Sequence, residues 1–247
     1  MSSTMLQLVQ QVTGELNLAV PSYVIGNQSQ DVQQVLALMN RAGYDLVKEY
    51  DWRITEKEYR FYTQAIQTTG DVVDGSPIIT NVADTTGLSN LWMAATGNGV
   101  PQDCSVVSVD GSTVVMNQPM QATQVGASLT FGQTKYELPP DYETITDRTQ
   151  WDKTKHWEML GPEDAQQWQW LKSGYISTGP RVRWRILGKY FQIWPIMNTQ
   201  EYLGFEYRSK AFAESVDGTP KNSFTADTDT SLFDDTIMVL ATKLKYF

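Results

Sequence analysis

The sequence predicts an α+β protein in which a small acidic β domain is inserted into a host domain of helices and strands. Residues 64–133 contain no Lys or Arg, although the chain carries 19 basic residues, and their only charged side chains are aspartates. The flanking segments, Glu58–Thr63 and Thr134–Tyr142, read as one continuous stretch. Exposed loop tips tolerate inserted domains. We therefore expect a host domain formed by residues 1–63 and 134–247, with residues 64–133 as the insert.

Two apolar stripes at helical spacing predict an N-terminal helical hairpin. Ser3 or Thr4 can cap the first helix, which Pro21 is expected to end, and Ser29 can cap the second. The first stripe consists of Met5, Leu8, Val9, Val12 and Leu16. The second stripe consists of Val32, Val35, Leu36, Met39, Leu46, Val47 and Tyr50. The host domain should therefore begin with two amphipathic helices that pack against each other.

A strand from Arg53 to Thr63 is expected next, and it leads into the inserted block. Short runs rich in β-branched residues predict at least four strands there, within SPIITNV, SVVSVDG, STVVMNQ and ASLTFG. Asp110-Gly111 between two of these runs is a two-residue hairpin signal. Several short strands at this spacing favour a small β-sandwich or barrel.

The host domain is expected to resume with a helix, an antiparallel β-meander and a C-terminal helix. The helix lies in PEDAQQWQWLKSG, with Pro162 in its first turn. RVRWRILGKYFQIWPI and YLGFEYRSKAF predict consecutive strands of the meander. Ser231 and Asp234 form a variant of the capping box, and they are expected to open the terminal helix DDTIMVLATKLKYF.

The net charge of −9 argues against a general phosphate-binding surface, because nucleic-acid affinity depends on clustered Lys and Arg. An acidic wall would instead repel the DNA backbone, which suits a conduit. The single cysteine, Cys104, excludes an intrachain disulfide. The N-terminal residues show no signal-peptide pattern and no apolar run is long enough to span a membrane, so we expect a soluble protein made in a cytosol.

The sequence offers few candidate catalytic groups. His156 is the only histidine, and Cys104 has no second cysteine or neighbouring histidine. Two pairs of acids could serve as catalytic groups or Mg²⁺ ligands: Asp141 with Glu143, and Asp234 with Asp235. No phosphate-binding, dinucleotide-binding, nucleophile-elbow or HExxH motif occurs. We expect a surface histidine, solvated acids, and no enzymatic activity, metal ion or cofactor.

Arg181, Arg183 and Arg185 alternate with apolar residues, which predicts three guanidinium groups on one face of a strand. This face is either an ordinary solvated surface or a functional one. In the second case the arginines bind carboxylates of a neighbouring subunit, or they line a channel.

The terminal helix carries an apolar stripe that is either part of the host core or a docking element. The stripe consists of Phe233, Ile237, Leu240, Leu244 and Phe247. The chain also has 8 Trp and 12 Tyr, and aromatic enrichment is typical of large protein–protein interfaces.

The host segments resemble the head-to-tail adaptor, or connector, proteins of short-tailed bacteriophages. The resemblance is carried by a helical hairpin ending in YDWR, a strand leading to YELPPDY, a short Trp-rich helix, the strand pair RWRILGKYFQIWPI, the segment Phe205–Lys210 and a helix opening with FDD. It covers about residues 1–63 and 134–247. The insert is similar to small β modules of phage virion proteins, in GSPIITNV, TTGLSN, ATGNGVP, VVSVDGSTVVMN and ASLTFG.

The resemblance implies a structural virion protein of the neck, at the head–tail interface, synthesised in the cytoplasm of a bacterial host. Such adaptors form a ring, here expected to have twelve subunits, beneath the portal protein. They dock tail nozzle and fibre proteins, and double-stranded DNA passes through the lumen without sequence-specific binding. The portal contacts implied for this chain are Phe233, Ile237, Leu240, Leu244 and Phe247, and the ring-interface or lumen residues are Arg181, Arg183 and Arg185.

Two other classes of function stay open. A tail-fibre or baseplate component could bind host-surface glycans through the inserted domain, with Trp92 and Tyr136 stacking on sugar rings. A cell-wall hydrolase could use a pair of acids. Glycan binding by residues 64–133 alone would favour the first class, and lytic activity abolished by one Asp or Glu substitution would favour the second.

Overall fold

The structure is a computed structural model of the 247-residue chain, and it describes residues 3–96, 99–173 and 180–247. Its helices are α1 (Met5–Glu15), α2 (Gln30–Glu49), α3 (Ala165–Lys172) and α4 (Asp235–Tyr246), with a 3-10 turn at Arg53–Thr55. The strands up to residue 140 are β1 (Glu56–Tyr62), β2 (Ala65–Val72), β3 (Ile78–Ile79), β4 (Trp92–Thr96), β5 (Val106–Asp110), β6 (Thr113–Met116), β7 (Gln124–Gln133) and β8 (Lys135–Glu137). The later strands are β9 (Tyr142–Ile145), β10 (Trp151–Asp152), β11 (Trp157–Glu158), β12 (Arg183–Leu187), β13 (Tyr190–Trp194), β14 (Tyr202–Ser209), β15 (Ala213–Glu214), β16 (Pro220–Lys221) and β17 (Thr230–Ser231). The named strand pairs are antiparallel and none of the sheets formed by the described residues closes into a barrel, so the predicted α+β class is confirmed.

The chain divides into two compact units. The first, the helical unit, comprises Met1–Glu58, Pro139–Thr146 and Glu206–Phe247. The second, the strand-rich unit, comprises Tyr59–Leu138 and Asp147–Phe205. This division differs from the expected host and insert, because a large part of the expected host clusters with the insert. The autonomy of the insert stays a prediction.

Helices α1, α2 and α4 of the helical unit share one apolar core, so the predicted N-terminal helices and terminal helix are confirmed. Thr4 caps α1 in a full capping box with Gln7, and Ser29 occupies the cap position of α2. The first helix ends well before Pro21. The ring of Phe212 packs directly on Gly43 of α2. A Cβ atom at position 43 would lie only 2.4 Å from this ring. Only glycine fits this contact.

The four predicted strands of the inserted block correspond to β3, β5, β6 and β7, and together with β2 and β4 they form two three-stranded antiparallel sheets, with strand orders β2-β7-β4 and β3-β6-β5. The predicted hairpin between β5 and β6 is confirmed, but its turn is shifted by one residue. Asp110 pairs with Thr113, so Gly111 and Ser112 form the turn, and Gly111 adopts a φ of 56°. The buried side chains between these strands are Val72, Ile79, Val82, Leu88, Trp92, Cys104, Val106, Val114, Met116, Met120, Ala127, Leu129 and Phe131.

The predicted meander of consecutive strands is wrong. β12 and β13 form a hairpin that is extended by β8, whereas β14 belongs to another sheet, where it pairs with β10 and β9. Pro195 follows β13 directly and cannot donate a ladder hydrogen bond, so the chain leaves that sheet before β14 begins. Besides β9 and β10, β14 also neighbours the seven-residue strand β1, and all three lie far away in sequence.

Many aromatic residues of the strand-rich unit belong to its core. Phe191 stacks on Trp184 with ring centroids 5.4 Å apart and on Phe205 at 4.9 Å, and it meets Phe61 edge-on at 5.9 Å. Such pairs stabilise a fold beyond the area that they bury. The aromatic enrichment of the sequence therefore reflects, in this unit, a packed interior.

Candidate docking surface

Helix α4 has two apolar faces. Met238 and Val239 are buried in the core of the helical unit. On the other side the side chains of Leu240, Leu244 and Phe247 are exposed by 56%, 81% and 92%. Their spacing of four and three residues places them along one side of the helix. We call these three side chains the α4 stripe.

The N-terminus of α4 is fixed by side-chain hydrogen bonds. Asp234 is the capping residue, and its carboxylate accepts a hydrogen bond from the Thr236 N–H at 2.9 Å. The predicted role of Ser231 as the opening residue is wrong, because Ser231 lies in β17 and its hydroxyl accepts from the Phe233 N–H at 3.0 Å. The Ser3 hydroxyl donates to Asp235 at 2.6 Å, which adds a further contact to the first turn.

Two ion pairs fix the last turns of α4 to the other helices. Lys243 Nζ lies 2.7 Å from Glu15 of α1, and Lys245 Nζ lies 2.6 Å from Asp45 of α2. The hydrogen bond from Lys243 lowers the pKa of Glu15, and the hydrogen bond from Lys245 lowers the pKa of Asp45. Helix α4 therefore presents its stripe from a defined position.

Two of the five predicted portal-contact residues are not part of this exposed stripe. Phe233 is 4% exposed, and its ring packs on Trp52 with centroids 5.1 Å apart. Ile237 is half-buried. Leu240, Leu244 and Phe247 are the members of the predicted set that a partner can reach.

Two of the three arginines contact other side chains within the strand-rich unit. Arg183 and Arg185 share a face of β12, as their alternation predicts, but Arg183 Nη1 lies 2.5 Å from the Glu163 carboxylate. The Arg185 guanidinium lies 4.5 Å above the ring of Trp168, and burial lowers its pKa. Arg181 precedes β12 and is exposed. Of the three, Arg181 offers the freest guanidinium for a contact with another subunit or with a lumen.

The aromatic residues expected to stack on sugars are buried. Trp92 is 3% exposed within the core of the inserted strands, and Tyr136 is 6% exposed. The Tyr136 hydroxyl donates to the Gln133 carbonyl at 2.9 Å and accepts from the Gln64 N–H at 3.1 Å. Burial also raises the pKa of Tyr136. The prediction that these two rings bind glycans is therefore wrong, because both rings fill the interior.

The candidate catalytic acids are occupied by structural contacts. Asp141 accepts hydrogen bonds from Lys57 at 2.8 Å, Ser209 at 2.7 Å and Tyr207 at 2.9 Å. Burial alone raises the pKa of Asp141, but these hydrogen bonds outweigh it and hold the pKa below its usual value. Glu143 instead pairs with Lys48 at 3.6 Å. Asp234 and Asp235 serve the N-terminus of α4, as described above.

The remaining candidates offer no constellation of reactive groups. His156 is exposed in a turn with a φ of 58°. Cys104 is fully buried, and burial raises the pKa of its thiol to about 11. Across residues 3–96, 99–173 and 180–247, no group of three His, Cys, Asp or Glu side chains is placed to hold a metal ion.

Sequence reasoning missed three exposed indoles. Trp151, Trp157 and Trp170 are 43%, 38% and 53% exposed. The exposure of Trp170 could have been predicted from its spacing. Trp168 lies two residues earlier in the same helix, and helix residues two apart point to different sides. Since Trp168 is buried, its neighbour on the opposite side had to face solvent.

Two comparisons with known proteins find no match for this chain. A scan against protein-family models finds no match, and a search of curated proteins finds no significant relative. Among the helices that the structure describes, none combines the length and the apolar character needed to cross a bilayer.

Proposed function

We propose that this chain is a structural virion protein, a head-to-tail adaptor that forms a ring between the portal and the tail. The observation that carries the proposal is the exposed α4 stripe on a helix fixed at both ends. A rigid helix with apolar residues four and three positions apart is suited to bind in an apolar groove of a partner. In this proposal the groove belongs to the portal protein.

The α4 stripe is large enough to matter when it is repeated around a ring. Burying a fully exposed Leu or Phe side chain contributes about 1.5–3 kcal/mol. Since the three side chains are exposed by 56%, 81% and 92%, together they contribute about 3.5–7 kcal/mol before the cost of association. One such contact is weak. A ring of twelve subunits repeats the contact, and each bond after the first forms at a high effective concentration.

The inserted strands supply the second part of the proposal. We propose that residues 64–133 form a small β-sandwich from the sheets β2-β7-β4 and β3-β6-β5, and that this module serves the attachment of tail nozzle or fibre proteins. It carries no Lys or Arg, so it has no means to hold DNA phosphates. Double-stranded DNA would pass through the lumen of the ring without sequence-specific binding.

The first experiment measures the mass and particle shape of the chain alone and after mixing with the portal protein encoded beside it. Light scattering gives the mass and electron-microscope class averages give the shape. We expect a subunit that assembles into a second ring stacked on the portal. A particle that ignores the portal, or a stable free trimer, would refute the adaptor proposal and favour a fibre component.

A matched pair of substitutions tests the stripe itself. Leu244→Asp places a charge in the proposed interface and should weaken portal binding at least tenfold, because a carboxylate cannot enter an apolar groove unpaired. Val216→Asp is the control, since Val216 lies in the same unit and is also 81% exposed. Equal binding by the two variants would show that the α4 stripe is not the contact.

A further inference from the structure

A polar cleft lies within the strand-rich unit, between two loops of the inserted block and the last turn of α3. Its volume is about 430 Å³, which is within the range of ~300–1,000 Å³ typical of small-molecule sites. The side chains that matter for its chemistry are Gln102, Asp103, Gln118, Gln121, Gln169 and Lys172. We call it the glutamine cleft.

The wall formed by two loops of the inserted block, one between β4 and β5 and one between β6 and β7, is held in place by hydrogen bonds to backbone groups. The Gln118 side-chain amide donates to the carbonyls of Gln102 at 3.0 Å and Asp103 at 3.1 Å. The Gln121 N–H donates to the Gly99 carbonyl at 2.6 Å. The backbone is also closely packed at Gly99, because a Cβ atom there would lie only 2.5 Å from a neighbouring backbone nitrogen. This wall is preorganised, so binding a ligand there costs little ordering entropy.

The second wall is the C-terminal end of α3. Asp164 caps this helix by accepting a hydrogen bond from the Gln167 N–H at 2.7 Å. Trp168 and Leu171 are buried against Trp194, which anchors the helix. Both walls therefore belong to packed parts of one unit.

The charges in the cleft cancel. Lys172 Nζ lies 2.5 Å from the Asp103 carboxylate, so the two formal charges form an ion pair that joins the walls. A site for a phosphate or a metal ion would have an excess of one charge. The glutamine cleft is instead suited to a ligand without net charge.

Three carboxamides in the cleft are available to such a ligand. The side chains of Gln102, Gln121 and Gln169 have no hydrogen-bond partner among the described residues, and all three are exposed. Each carboxamide both donates and accepts. Hydroxyl groups do the same, and several of them on one small ring match several carboxamides around one cleft.

An exposed indole is the next side chain in α3 after one of these carboxamides. Trp170 is 53% exposed and follows Gln169 in α3. The hydroxyl of Ser173, which lines the cleft, donates to the Trp170 carbonyl at 2.6 Å. An indole has an apolar face and one polar edge, and the apolar face fits the C–H face of a sugar ring.

We infer that the glutamine cleft binds a neutral saccharide, with the three free carboxamides contacting hydroxyl groups and Trp170 stacking on a ring face. The residues differ from Trp92 and Tyr136, which are buried. This binding activity does not depend on the adaptor role, because the cleft and the α4 stripe belong to different units. Each can therefore fail in a test without affecting the other.

The experiment uses the full chain on an array of neutral, acidic and basic oligosaccharides, followed by calorimetric titration with a neutral oligosaccharide that the array retains. Gln169→Ala and Trp170→Ala should each weaken binding at least tenfold. Two variants serve as controls. Gln167→Ala changes an exposed glutamine of the same helix that does not line the cleft, and Trp157→Ala changes an exposed indole elsewhere.

Thermal unfolding of each variant checks that the fold is kept. Substitutions at exposed positions rarely change stability much, so we expect each variant to unfold at the same temperature as the unchanged chain. Selective loss of binding in the two cleft variants would support the inference. The absence of any retained neutral saccharide, or equal binding by cleft and control variants, would overturn it.

Discussion

Asp141 is the most informative position for testing how the helical unit is held together. Its side chain is 13% exposed and accepts hydrogen bonds from Lys57, Ser209 and Tyr207. Asp141→Asn removes the charge and leaves a side chain of nearly the same shape. Hydrogen bonds to a charged group contribute about 1.5–3 kcal/mol each, but Lys57 is one-third exposed and its attraction is partly screened. We expect the substitution to lower the free energy of unfolding by about 2–4 kcal/mol at neutral pH.

The pH dependence of this loss distinguishes charge from packing. The pKa of Asp141 is lowered in the folded protein, so its contribution is fully present above the unfolded pKa of about 3.9 and is lost as the pH falls through the folded pKa. The difference in stability between the unchanged chain and Asp141→Asn should therefore be constant from about pH 7 to 5. Below about pH 4 it should shrink.

Urea unfolding followed by far-ultraviolet circular dichroism provides the assay, because α1, α2 and α4 all belong to the helical unit. Glu49→Gln is the control, since Glu49 is an exposed acid of the same unit with no partner among the described residues. A loss smaller than about 0.5 kcal/mol, within the range of ordinary surface substitutions, would refute the reasoning. So would a loss that stays constant down to about pH 3, because the carboxylate charge would then not be its source.

Three further substitutions test packing and the arginine face. Gly43→Ala should lower the melting temperature, because overpacking against the buried Phe212 ring costs about 1–3 kcal/mol and outweighs the helix propensity of alanine, about 1 kcal/mol; an unchanged melting temperature would contradict the close contact. Arg183→Glu places a second carboxylate opposite Glu163 and should destabilise the strand-rich unit. Arg181→Glu changes an exposed side chain, so it should leave the unfolding of this unit unchanged and reduce ring formation. A normal ring from Arg181→Glu, measured by light scattering, would remove the proposed role of this face.

The helices could be predicted because their signals are local. The capping residue Thr4 and the apolar spacing of α1 lie within one short segment, and both are confirmed. The same local reasoning placed the start of α4 within one residue but wrongly gave Ser231 a role in its cap, because Ser231 and Asp234 both suit that position. Ser231 pairs with Ala213 in a strand, a contact that is distant in sequence and that local patterns do not encode.

Strand pairing could not be predicted in the same way. β14 pairs with β10, a strand of two residues, and Trp151 faces Gly204 across that pair. A run of two residues has no detectable period, so no sequence pattern indicated this partner. The hairpin of β12 and β13 was accessible to prediction, because its two strands are joined by a short turn.

The candidate surfaces were predicted in part. The α4 stripe follows from spacing alone, but only burial shows that Phe233 lies inside and Phe247 outside. The glutamine cleft had no sequence signal, because Gln102 and Gln169 are brought together by the fold. Trp92 and Tyr136 were misjudged since a sequence does not tell whether an aromatic ring fills a core or faces solvent.

The two faces of α4 connect assembly to folding through mass action. Met238 and Val239 complete the core that α1 and α2 share, so the stripe on the opposite face exists only while all three helices are packed together. A partner that binds this stripe binds the native state alone, and at a concentration 100 times its dissociation constant it stabilises the helical unit by about 2.7 kcal/mol. By the same linkage, a subunit with α1 or α2 unfolded has no surface to offer. Assembly through this helix would therefore select folded subunits without any additional factor.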